Sequence, residues 1–167
     1  MILSVNDPFY TNSGGFDLKR VPLIKPYEAI KVSNDEWQIQ LFTTRLLSTV
    51  IHFANEVDLV DSVILIHAKG ETIIKDNKYN EGWFIVIPKL NLEEGFNIKG
   101  DFDEYLSKLH LKDYKFKLTD SVYAQFVRDG YVKWHNSGST QIRNCSRKKL
   151  LLVGTFDQGR THAELND

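Results

Sequence analysis

In "WQIQL", Trp37, Ile39 and Leu41 alternate with Gln38 and Gln40. A period of two puts the three apolar side chains on one face of an extended strand and the glutamines on the other. Just upstream, Ile30 and Val32 of "EAIKV" share a face, and the polar "SNDE" between the two stretches is turn-forming. The pattern predicts a β-hairpin, with Trp37, Ile39 and Leu41 facing a core. Pro22 and Pro26 precede it. Each fixes its own φ and drives the residue before it towards extended geometry, and "PLIKP" lacks two backbone donors. Such a segment belongs at a sheet edge, where it aims the chain into the hairpin and discourages mispairing.

Two near-continuous apolar runs follow, "SVILIHA" (62–68) and "GWFIVIP" (82–88), and both read as strands, the first as a central one. A short strand is expected at Thr72–Ile74 between them. Residues 43–60 fit either a helical stripe (Leu46, Leu47, Val50, Ile51, Ala54, Val57) or a strand, and their Thr, Val, Ile and Phe content favours strand. Phe102, Tyr105, Leu106 and Leu109 then fall at helical spacing, with Asp101 as the expected N-cap and Glu104 as its capping-box acid. "TDSVYAQFVRDG" reads as another helix, capped by Thr119 or Asp120 and stopped by Gly130. "YVKWH" suggests a short strand, "NSGSTQIRNCSRK" a loop and "KLLLVGTF" a strand. Residues 6–27 read as an irregular lead-in anchored by Phe9, Tyr10 and Phe16, and residues 158–167 as a frayed tail. Together these elements predict one domain over 1–167. Its expected class is α+β: a mainly antiparallel sheet with two or three helices on one face or end.

The 167 residues suffice for one core without covalent staples. Cys145 is the only cysteine, which excludes an intramolecular disulfide and a cysteine-based zinc site and fits a cytoplasmic location. The N-terminal sequence has neither the basic lead nor the apolar core of a signal peptide, and no stretch approaches a membrane span. Net charge is −1, but residues 28–104 hold fourteen acids against seven bases while residues 105–167 hold six against eleven. Nucleic-acid binding is not expected from so balanced a chain, and "RKK" (147–149) leads straight into a strand-like run.

No phosphate-binding glycine loop, H-E-x-x-H or G-x-S-x-G motif is present. The five histidines lack metal-ligand spacing, so neither a metal nor another cofactor is expected. Cys145 stands beside Arg147, Lys148 and Lys149, a setting that lowers a thiol pKa, without a local catalytic signature. His67, with Lys69 and Glu71 nearby and Lys133 and His135 further on, leaves room for a small histidine-dependent hydrolase or nuclease. The acids offer a different reading. Glu93, Glu94, Asp101, Asp103 and Glu104 gather near one helix start, and Glu56, Asp58 and Asp61 precede a strand. Acids at a helix start also serve the helix dipole. As a surface they would dock a basic protein partner and steer its approach.

The segments "DPFYTNSGGFDLKRVPLIKPYEAI", "SVILIHAKGET", "EGWFIVIPKLNLEEGF" and "DEYLSKL" resemble small single-domain bacterial proteins that serve as immunity partners of polymorphic toxins, including those of contact-dependent inhibition. The resemblance spans about Asp7 to Trp134. It implies a cytoplasmic, non-enzymatic protein that binds a toxin domain made by sister cells and occludes its active site. Such toxins are often nucleases with basic clefts, which an acidic face would fit. No individual binding residue carries over from the resemblance. A non-catalytic adaptor subunit is the remaining alternative.

Overall fold

The computed structural model describes residues 7–14, 18–34, 36–42, 49–74, 77–111, 113–132 and 134. Among them the chain is α+β and its sheets are antiparallel. A four-stranded sheet runs in the order β1 (Lys19–Pro22), β2 (Glu28–Lys31), β3 (Trp37–Gln40), β4 (Val50–Ile51). A five-stranded sheet has the order β10 (Leu92–Phe96), β9 (Gly82–Ile87), β6 (Val63–Ala68), β5 (Glu56–Val60), β11 (Lys117–Leu118). A small hairpin pairs β7 (Thr72–Ile74) with β8 (Asn77–Tyr79). The helices are α1 (Pro8–Thr11), α2 (Lys99–Lys108) and α3 (Thr119–Asp129).

The five-stranded sheet is covered on both faces. Val57, Leu59, Ile64, Ile66, Phe84 and Val86 pack in one core with Val21, Ile39 and Ile51 of the four-stranded sheet and Val122 of α3. The intervening residues Val60, Val63, Leu65, Ile85 and Ile87 pack on the other side with Phe102 and Leu106 of α2. Double burial explains why β6 and β9 read as unbroken apolar runs rather than as alternation. β6 is indeed the middle strand.

The hairpin of 28–40 is present, and Trp37, Ile39 and Leu41 are buried while Gln38 is half-exposed and Gln40 exposed. On β2 the inward residue is Ala29, opposite Ile39; Ile30 is half-buried and Val32 exposed. Ala29 fits because a small side chain leaves space for the facing isoleucine. β1 is an edge strand ending in Pro22, and the turn to β2 holds a cis Lys25–Pro26 bond.

Several expectations change. The lead-in is not irregular throughout, since it contains α1 and β1, and β1 pairs with β2 over four residues. Phe9 and Tyr10 are half-buried and belong to neither core, and Phe16 lies outside the described residues. In 43–60 the strands β4 and β5 form, while 43–48 lie outside the described residues. α2 starts at Lys99 with Ile98 as N-cap and no side-chain cap bond, which places Asp101 inside the first turn. α3 likewise starts at Thr119, whose hydroxyl donates instead to Ala54 O at 2.6 Å, and Gly130 stops it at φ 73°. Tyr131, Val132 and Trp134 lie in no strand. The loop, strand and tail expected beyond 135 lie outside the described residues, as do His135, Cys145 and His162.

Candidate functional site

Antiparallel register aligns one residue from each strand of the five-stranded sheet. Leu118, Glu56, His67, Trp83 and Phe96 form a single row across β11, β5, β6, β9 and β10. The row lies on the face that α2 covers, at the sheet end away from the β5–β6 turn. Its centre is His67, 8% exposed. The imidazole stacks on Trp83 at 4.9 Å and 5°, and Phe116 lies 6.0 Å away. Nδ1 is 2.6 Å from Glu56 Oε2, and Nε2 is 3.0 Å from Glu81 Oε1. A neutral imidazole has one N–H and serves one of these carboxylates; a ring protonated on both nitrogens serves both.

The row becomes more open away from His67. Phe96 packs against Tyr105 and Phe102 of the α2 layer. At the other end Leu118 is 57% exposed. The side chains of Glu56 and Glu81 are 32% and 52% exposed. Phe53, 37% exposed, sits at the same sheet end: its carbonyl accepts from Lys69 N, and its ring lies against Gly70, where a Cβ would come within 2.0 Å.

The eight acids singled out in the sequence do not form a single surface. Glu93 and Glu94 belong to β10, not to a helix start, so alternation sends them to opposite sides. Glu93 is buried and does not belong to an exposed docking face. It accepts from Tyr27 Oη at 2.9 Å and Phe42 N at 2.7 Å, joining β10 to the four-stranded sheet. Burial, reinforced by that carboxylate, pushes the Tyr27 hydroxyl far above the ordinary tyrosine range. Asp58 is fully buried too; it accepts from Leu59 N and Lys115 N, pinning the chain that leads to β11. Asp61 sits in the β5–β6 turn, at the opposite end of β5 from Glu56.

On α2, Asp103 pairs with Lys99 and accepts from Tyr114 Oη at 2.6 Å. Burial opposes ionisation there, but the Lys99 and Tyr114 hydrogen bonds outweigh it and lower the Asp103 pKa. Glu104 pairs with Lys108, and Asp101 is exposed. Each of these two pairs places a lysine beside its acid, so the helix presents mixed charge rather than an acidic face. Glu94, half-buried, points to the α2 side. Sequence reasoning missed Glu81, because nothing local ties it to His67; it did single out His67 and Glu56, though not as partners. Their register follows from the two-residue turn at Asp61 and Ser62, which sets Glu56 across from His67.

Among the described residues no group of three or more His, Cys, Asp or Glu could hold a metal ion, and no helix is long and apolar enough to cross a membrane. No protein-family model matches the chain, and neither does any curated protein or solved structure.

Proposed function

We propose that this protein binds another protein, as the cytoplasmic immunity partner of a bacterial toxin domain whose active site it occludes. The observation that carries the reading is the open end of the cross-strand row. There an exposed leucine, Leu118, is the register partner of the partly exposed Glu56. Beyond Glu56 in the row, His67 meets a second partly exposed carboxylate, Glu81, with Trp83 next in line. Apolar and aromatic anchors supply most interface energy, and charges around them speed encounter with a basic partner. The resemblance to immunity proteins supports the same role, and a basic nuclease cleft is the complementary surface. The direct test is co-expression with the C-terminal domain of any toxin found encoded by a neighbouring gene. Growth restored in the presence of the protein, and co-elution of the two, are expected. A toxin domain that kills equally with and without it, and elutes apart from it, rules the reading out.

A second reading rests on the Glu56–His67 pair. A carboxylate on Nδ1 orients an imidazole so that its other nitrogen moves protons. In this structure that nitrogen meets Glu81, so hydrolysis would require Glu81 to swing aside. RNA cleavage by the purified protein, lost in His67→Ala, would establish this reading; no cleavage in either form removes it.

A further inference from the structure

Arg20 is a charged residue on an edge strand, yet only 8% exposed. Its guanidinium pairs with Glu28 of the neighbouring strand. It also donates to two backbone carbonyls of the chain preceding β1, Phe9 O at 2.8 Å and Asn12 O at 2.6 Å. The Phe9 ring lies 4.5 Å from the same guanidinium. The backbone of Arg20 takes part as well, its N–H donating to Ser13 O at 3.0 Å. Segment 7–14 therefore lies along the outer edge of β1. Gly14 makes the return possible: at φ 97° a Cβ would come within 1.7 Å of Leu18 O.

The attachment is polar. α1 contains no buried residue, and segment 7–14 contributes to neither core. It is also tied by Lys25, whose Nζ pairs with Asp7 at 3.2 Å and whose N–H donates to Tyr10 Oη at 3.2 Å, and both contacts are exposed. Release would leave Arg20 paired with Glu28, so opening does not strand a buried charge, the usual obstacle to such a motion. The edge it would uncover has a single outward donor before the proline, the Arg20 N–H, since Pro22 has none.

We propose that segment 7–14 is a latch on Arg20. It seals the β1 edge when docked and opens without unfolding either core. Segments held by few apolar contacts open below the global unfolding free energy, and amide hydrogen exchange reads such openings residue by residue. In the full chain, the Arg20 amide is expected to exchange through an opening that is insensitive to low urea, while the Ile66 amide in β6 exchanges only with global unfolding. Phe9→Ala touches neither core. It should speed exchange at Arg20 at least tenfold and leave Ile66 unchanged. Arg20→Lys keeps the charge but loses the forked donors, and should do the same. The latch is overturned if Arg20 and Ile66 share one urea-dependent opening, or if Phe9→Ala leaves Arg20 exchange where it was.

Discussion

Ala29 stands directly across the β2–β3 ladder from Ile39, and neither side chain is exposed to solvent. The pair fixes the spacing at which the hairpin meets the five-stranded sheet. Ile39→Ala should cost about 2–5 kcal/mol, because the cavity cannot be filled by so small a neighbour. Ala29→Leu should cost roughly 1–3 kcal/mol for the opposite reason, overpacking. Urea unfolding of both variants checks this; a neutral Ala29→Leu would show that the space facing Ile39 is not filled.

Glu93 belongs to the interior, and its removal should act on stability. Glu93→Ala leaves the Tyr27 hydroxyl and the Phe42 N–H without this acceptor. Stranded donors of this kind cost about 1–3 kcal/mol. Glu93→Gln keeps an acceptor oxygen and should cost less. Equal losses in the two variants would mean that charge, rather than hydrogen bonding, is what the site requires.

Asp120 ties α3 to the hairpin. Its Oδ1 accepts from Lys31 Nζ at 2.7 Å and Trp37 Nε1 at 3.1 Å. Partial burial opposes ionisation, but these hydrogen bonds and the charges of Lys31 and Lys19 together lower its pKa. A folded pKa below the unfolded one gives stability that is fully present above the unfolded value, near pH 4, and lost as pH falls through the folded one. Asp120→Asn should therefore flatten the acid limb of a stability-versus-pH curve and lower stability at neutral pH. Parallel curves for the two proteins would contradict it.

The β5–β6 turn holds Asp61 at φ 48° and Ser62 at φ 69°. Both are left-handed, as a two-residue turn of type I′ requires, and glycine suits the second position best. Ser62→Gly should raise stability by roughly 0.5–1 kcal/mol, the relief of backbone strain less the added freedom of the unfolded chain. A lower melting temperature would show that the serine hydroxyl contributes more than the strain costs.

The sequence carries its periodicities plainly and its pairings hardly at all. Trp37, Ile39 and Leu41 reveal their face because β3 has one side in the core and one outside. Ala29 is less apolar than Ile30, so apolarity alone selects the wrong face of β2. The acids near Glu93 look like a helix start because β10 follows the 3₁₀ turn Pro88–Leu90 so closely that its strand character is overshadowed by α2. Within a strand adjacent acids separate to opposite faces, which no count of charges reveals. His67 was visible as a chemically capable residue. Its partners Glu56 and Glu81 are 11 and 14 residues away and meet it only through register.

That rearrangement moves the expected interface. With Glu93 and Asp58 inside and Asp103 and Glu104 beside their own lysines, the partly exposed carboxylates at the His67 end are the better candidates to steer a basic toxin domain. Glu81 is the cleaner one to reverse, because it lies just outside β9 and half in solvent. Glu81→Lys should slow association with the toxin domain, and added salt should slow the wild-type rate, since exposed charges act mainly on encounter. Leu118→Ala should instead raise the dissociation rate, as loss of an apolar anchor does. Asp101→Lys, exposed on α2 rather than on a strand of the row, serves as the control and should change neither rate. If Asp101→Lys slows association and Glu81→Lys does not, the partner docks on the α2 surface and the cross-strand row is not its contact.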